Sequence, residues 1–137
     1  MKKLNLNVMF AIAAVLLVFS GTAALLSFAV PSIKSAYGIT DISTAFAFLI
    51  IGVAQLVFGV VAWSVRKDPA SKSRTTLAYG YASLFTLWAI VDVIGNMGEF
   101  SSIPGHDNSL WLWVVIFSVL ALGFFITAKA GKLNSDI

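Results

Sequence analysis

Cysteine is absent from the 137-residue chain and histidine occurs once. Without a thiol there is no disulfide, no thiolate metal site, no cysteine nucleophile and no cysteine-borne lipid anchor. The lone histidine, His106, lies between apolar runs, which excludes a pair of helical imidazoles gripping a haem. Charge is scarce as well: 11% of residues are charged and 59% are hydrophobic, whereas a soluble domain is about a quarter charged. A chain so poor in charge lacks the polar surface that water demands. No Walker A, GxGxxG, HExxH or serine-nucleophile pattern occurs. The sequence therefore reads as that of a protein without catalytic activity, and no cofactor is expected.

What the chain does have is long apolar runs, at about 8–30, 42–65, 76–95 and 110–128. Runs of about 20 residues cross a hydrocarbon core of about 30 Å as helices. Lipid offers no partner to an unpaired backbone group, so only helices or a closed barrel can cross it. These runs lack the alternation of a barrel strand and are twice too long for one. The prediction is an all-α integral membrane protein, a single transmembrane domain over residues 1–137. Its helices are expected at about 8–30, 42–65, 76–99 and 109–129. Asp41, Ser71 or Ser73, and Asp107 with Asn108 and Ser109 supply cap residues for the second, third and fourth helices. Pro31 follows the first run, Asp68-Pro69 stops the second, and Gly131 is expected just past the last turn of the fourth. Met1-Lys2-Lys3 before an apolar stretch also describes a signal peptide. The first run exceeds the 7 to 15 residues or so of a signal core, so an uncleaved helix is expected.

Orientation follows from the basic residues. Lys2, Lys3, Arg66, Lys67, Lys72, Arg74, Lys129 and Lys132 flank the runs on one side, and of the nine Lys and Arg only Lys34 falls on the other. Positive flanks stay in the cytoplasm. The expected topology is up-down-up-down, with the N- and C-termini both inside (N-in/C-in), in a multi-pass cell membrane protein of the bacterial cytoplasmic-membrane type. Trp63, Trp111, Trp113 and Tyr37 mark the interfaces. Connections of about 10 to 14 residues make sequential helices antiparallel neighbours, which is a four-helix transmembrane bundle. The net charge of +3 reads as topology and attraction to anionic lipid. No clustered basic patch with stacking aromatics is present, so nucleic acid is not an expected partner. The expected partners are the lipid bilayer and either a homo-oligomer or a larger membrane complex.

Helices in lipid associate by close packing, so small residues should line their contacts. Ala45, Gly52 and Gly59 recur at heptad spacing in the second helix, as do Ala13, Ser20 and Ser27 in the first and Ala82, Ala89 and Asn96 in the third. A seven-residue repeat suits left-handed crossings, and ordinary bundle packing accounts for it.

The polar residues concentrate at the outer end of the third helix. Asp92, Asn96 and Glu99 fall at i, i+4 and i+7 and share one face if the helix reaches Glu99. Phe85 continues that stripe inward, with Tyr81 and Trp88 beside it. The helix runs outward, so its carbonyl end lies near Asp92 and Glu99, where the macrodipole disfavours negative charge. Two acids against the dipole form a local inconsistency of the kind functional sites show. With Asp41 and Asp107, the outer half holds four acids against Lys34, and such a mouth concentrates cations.

Three readings of this cluster stand. Asp92 and Asn96 bond to hydroxyls, backbone or Lys34 at the interface. Alternatively, Asp92 is the central acceptor of an embedded site for a proton, ion or polar small molecule, with Asn96, Glu99, Gln55 and Trp88 as further candidates. The third is a divalent metal site from Asp92, Glu99, His106 and Asp107, whose spacing matches no ligand motif. Gln55, mid-way along the second helix, is expected to hydrogen-bond to another helix.

The functional expectation is a small polytopic membrane protein that binds a membrane partner, lipid or small ligand through this polar site. The alternative is a small oligomeric ion- or proton-coupled transporter or channel, with Asp92 as the titrating or cation-binding residue. Small multidrug exporters are similar in size and span number. They carry a membrane glutamate in their first helix, where this chain has no acid, so no residue carries over.

Overall fold

The computed structural model describes residues 5–32, 42–97 and 109–135. Within them the chain forms four α-helices and no strand: α1 (Leu6–Ala29), α2 (Ile42–Val65), α3 (Lys72–Met97) and α4 (Ser109–Ser135). All four are long and apolar enough to cross a membrane. At 1.5 Å per residue each exceeds the roughly 30 Å of a hydrocarbon core. Large apolar side chains point away from the protein on every helix: Phe19, Val60, Val91 and Val119 are all more than half exposed. In water this would be an aggregating surface. In lipid it is matched to its solvent.

The helix ends refine the boundaries expected from the apolar runs. α1 starts at Leu6 because Asn5 caps it, its side-chain oxygen accepting the Val8 N–H at 3.0 Å. α3 starts at Lys72, four residues before the apolar run, and Ser71 Oγ accepts the Arg74 N–H at 3.2 Å. Helix propensity and a cap extend a helix through polar residues that a hydropathy pattern leaves out. α4 does not end before Gly131. It continues through Gly131 and Lys132 to Ser135, since one glycine costs only about 1 kcal/mol inside a helix. Lys34, Tyr37, Asp41, Asp107 and Asn108 lie outside the described residues.

Contacts divide the chain into two compact units, Phe10–Lys67 and Met1–Met9 with Asp68–Ile137. The first contains most of α1 and all of α2. Here the backbones come close because glycine has no side chain. A Cβ placed on Gly21 would lie 2.8 Å from the Gly52 carbonyl oxygen, and one on Gly52 would lie 3.0 Å from that of Gly21. Gly59 is pressed in the same way against Val18 and the Ala14 carbonyl. Contact numbers fall along α2 as they rise along α1, so the two helices are antiparallel. The expected small-residue repeat of α2 thus forms its contact face at Gly52 and Gly59. On α1 the atoms nearest these glycines belong to Ala14, Val18, Gly21, Ala24 and Leu25, while Ala13 and Ser27 of the expected repeat are fully buried. Ser27 is buried and donates its hydroxyl hydrogen to the Ala24 carbonyl at 2.6 Å.

In the second unit α3 and α4 pack along their length. Their ring contacts run Tyr79 to Phe125, Tyr81 to Phe124 and Trp88 to Phe117, which makes this pair antiparallel too. Large rings occupy the seam that glycines occupy between α1 and α2.

Gly21→Ala is expected to destabilise the protein by about 1 to 3 kcal/mol, because backbone rather than a movable side chain opposes the new methyl group. Gly80→Ala meets nothing within 4 Å and is expected to be neutral or stabilising by up to about 1 kcal/mol. Unfolding midpoints of the two variants in detergent check this. Equal destabilisation would contradict the close approach at Gly21.

Candidate functional site

The site is built on one face of α3. An α-helix repeats its direction every eighteen residues, which is five turns. Arg74 and Asp92 are eighteen apart, so they point the same way from opposite ends of the span, about 27 Å apart along the axis. Ala78, Tyr81, Phe85 and Ala89 fall on or beside that line, and all four are buried.

The N-terminal end of this face is organised by Arg74. Its side chain is 8% exposed, and Nη2 donates to the Asn7 side-chain oxygen at 2.5 Å. This bond ties the first turn of α1 to α3, within the unit that includes residues up to Met9. An arginine with its charge removed from water needs polar acceptors, and an asparagine carbonyl supplies one.

The middle of the face is aromatic. Phe85 and Phe124 are fully buried. Phe85 lies nearly parallel to Phe117 at 5.9 Å and to Phe124 at 6.0 Å. Tyr81 stacks on Phe124 at 5.4 Å, and Trp113 stacks on Phe117 at 5.5 Å. Trp88 meets Phe85 edge-on at 6.0 Å and Phe117 at 5.3 Å. Centroid separations of 4.5 to 7 Å lie in the attractive range, each pair adding about 0.5 to 1.5 kcal/mol beyond area burial. The stack explains the spacing of Tyr81, Phe85 and Trp88, which are four and three residues apart and face a single partner helix.

Asp92 is one turn beyond Trp88, two residues before the end of the apolar span at Ile94. It is half-buried, and its Oδ2 atom is enclosed by protein. It is the one acid among the described residues inside a candidate span. α3 continues to Met97, more than a turn past Asp92, so the dipole penalty on Asp92, which fades within the last turn, is smaller than its position near the apolar run's end suggests. Desolvation is the larger cost. A carboxylate at mid-membrane costs about 2.5 to 3.5 kcal/mol on insertion scales, and less towards the interface.

Of the other expected site residues, Trp88 belongs to the aromatic stack. Asn96 lies in α3, but its side chain is outside the described residues, as are Glu99, His106 and Asp107 entirely. The expected joining of Asp92, Asn96 and Glu99, and the metal candidates, therefore fall beyond what is described. Among the described residues no three potential metal ligands cluster. Gln55 is half-buried in the middle of α2, within the other unit.

A groove of about 960 Å³ runs between α3 and α4 on a different face of α3, lined by Thr86, Ile90, Val114, Ser118 and Phe125 among others. Thr86 donates its hydroxyl hydrogen to the Ala82 carbonyl at 2.8 Å, so towards the groove it presents an acceptor oxygen in an apolar wall.

Arg74 and Asn7 are the site residues that the sequence pattern did not single out. Arg74 reads as one more basic flank, and Asn7 as a residue before the first apolar run. The available signal was the five-turn spacing of Arg74 from Asp92.

A double-mutant cycle on Asn7→Ala and Arg74→Gln is expected to give a coupling energy of about 1.5 kcal/mol or more, the range for a hydrogen bond with one charged partner. Unfolding midpoints of the wild type, both single variants and the double variant in one detergent measure it. Additive effects would mean that the bond contributes nothing.

Comparison of the chain with protein-family models, with curated proteins and with solved structures finds no match.

Proposed function

We propose that this is a small, non-catalytic, multi-pass membrane protein that recognises an amphiphilic ligand at the Asp92 end of α3. The observation that carries the reading is the position of Asp92. It is a half-buried carboxylate inside an apolar span, on the face whose preceding turns hold Trp88, Phe85 and Tyr81. A carboxylate held at the edge of hydrocarbon selects a cationic or hydrogen-bond-donating group. Aromatic rings on the adjoining turn suit the apolar or cationic body attached to it. The partner is thus a lipid, a small amphiphile or a segment of another membrane protein with a basic group at the interface.

The proposed topology is an up-down-up-down bundle with both termini in the cytoplasm. It rests on the eight basic residues flanking one side, with Lys34 alone on the other. The outer side is then the acidic one, and Asp92 opens towards it.

The runner-up reading is an oligomeric transporter or channel in which Asp92 binds a cation or titrates. It draws on the same carboxylate, but the face between Arg74 and Asp92 is filled by Tyr81 and Phe85, which leaves no polar path along it.

Two measurements test these readings. In this cysteine-free chain, single cysteines at position 3 and at position 106 should label from opposite sides of the membrane with an impermeant maleimide; labelling from the same side would overturn the topology. Asp92→Asn should weaken binding of an alkyl-ammonium probe by the purified protein about tenfold or more, as expected for loss of a charge-assisted contact. If the variant instead binds the probe normally and abolishes cation flux into proteoliposomes, the transporter reading replaces the binding one.

A further inference from the structure

The α1–α2 unit carries a second concave surface that the Asp92 reading does not use. It is a groove of about 560 Å³ walled by Val15, Val18, Phe19 and Thr22 of α1 with Val60 and Trp63 of α2. The walls are open: Phe19 is 76% exposed, and Val15, Val60 and Trp63 are at least half exposed. From Ala14 to Thr22 the groove extends about 12 Å along α1. One leaflet's hydrocarbon is about 15 Å deep, half of the whole core.

One end of this groove is basic. Trp63 lies two residues before the end of α2, and the Arg66 guanidinium sits over its indole ring, 3.4 Å from the centroid. The same guanidinium donates through Nη1 to the Trp63 carbonyl. Stacking and this bond hold the planar fork against Trp63, which walls the groove, and exposed Lys67 follows it. Arginine's fork matches the oxygens of a phosphate, and lysine adds a point charge. Tryptophan is a residue of the lipid interface.

We infer that this groove is a binding site for an anionic phospholipid, with an acyl chain along Val15, Val18 and Phe19 and the headgroup phosphate at Arg66 and Lys67. The charge at the mouth selects an anion, and the wall selects hydrocarbon. The wall also argues against a transmembrane helix as occupant. Helices dock in lipid through small residues; Gly21, Gly52 and Gly59 are already spent between α1 and α2, and Ala14, the small residue of the groove, is buried at its floor. Branched and aromatic side chains form the open surface instead, and a flexible chain adapts to it. The site lies on the basic side of the membrane, where anionic lipid and clustered Lys and Arg attract each other.

The test is native mass spectrometry of the full-length protein released from nanodiscs of equal phosphatidylglycerol and phosphatidylcholine. Retention of one phosphatidylglycerol is expected, with a preference of about fivefold or more for each basic residue engaged. Arg66→Gln with Lys67→Gln should abolish the preference, whereas Lys129→Gln should leave it unchanged. Val15→Trp fills the groove without altering charge and is expected to reduce retention of both lipids; it also serves if the double variant fails to fold. Equal retention of the two lipids by the wild type would overturn the proposal, as would a preference that Val15→Trp and the double variant both leave intact. A single cysteine at position 19 that forms disulfide-linked dimers in the membrane would overturn it in favour of a second copy of the chain.

Discussion

Hydrocarbon has no hydrogen-bonding partner to offer the backbone, and every other feature of this structure depends on that constraint. The chain meets it with helices of 24 to 27 residues, which pair their own N–H and C=O groups throughout the apolar span. The side-chain hydroxyls obey the same rule. Ser20, Ser27, Ser64, Thr86 and Thr127 all donate to carbonyls three or four residues earlier on their own helices. Such back-bonding lets a polar residue face another helix or lipid without leaving a donor unmet. It also removes those hydroxyls from the set of groups able to donate elsewhere.

With lipid as apolar as leucine, association must come from close packing rather than from expulsion of water. The two units reach it by opposite means. Between α1 and α2 the glycines let backbone meet backbone, and the larger side chains are pushed out to line an open groove. Between α3 and α4 the rings of Tyr81, Phe85, Trp88, Phe117 and Phe124 fill the seam, with polarizable faces in contact over a large area. The groove beside the first seam has branched walls, and the one beside the second carries hydroxyls at Thr86 and Ser118.

Charge is then restricted to the ends. Arg74 and Asp92 mark the two limits of one face of α3, and buried rings lie between them. Arg66 is held over Trp63 at the end of α2. A buried arginine is bound by a first-turn asparagine, a half-buried arginine is stacked on a tryptophan, and a carboxylate is half-buried near the end of an apolar span. These are three different chemical roles. Of the three, the acid is the one whose cost is hardest to explain by packing alone, and it draws the functional reading.

The number of helices, their near-boundaries and their apolar character were legible in the sequence, because span length and hydropathy are one-dimensional quantities set by membrane thickness. The glycine repeat of α2 was legible too, since close approach requires small residues at a helical period. The α1 residues set against those glycines were not: a helical period marks several stripes on α1, and only the rotation of the helix brings Ala14, Val18 and Gly21 to Gly52 and Gly59. The same reason hid Arg74. Its side chain could have extended to water like the other flanking cations, and only the folded chain shows it buried with its guanidinium bonded to Asn7. Asp92 was visible as an anomaly because a charge inside an apolar run needs no structure to be conspicuous. The sequence by itself determined that these helices belong in lipid; only the tertiary structure decided which of their faces are spent on one another, because a helical period defines several equivalent stripes and packing chooses among them.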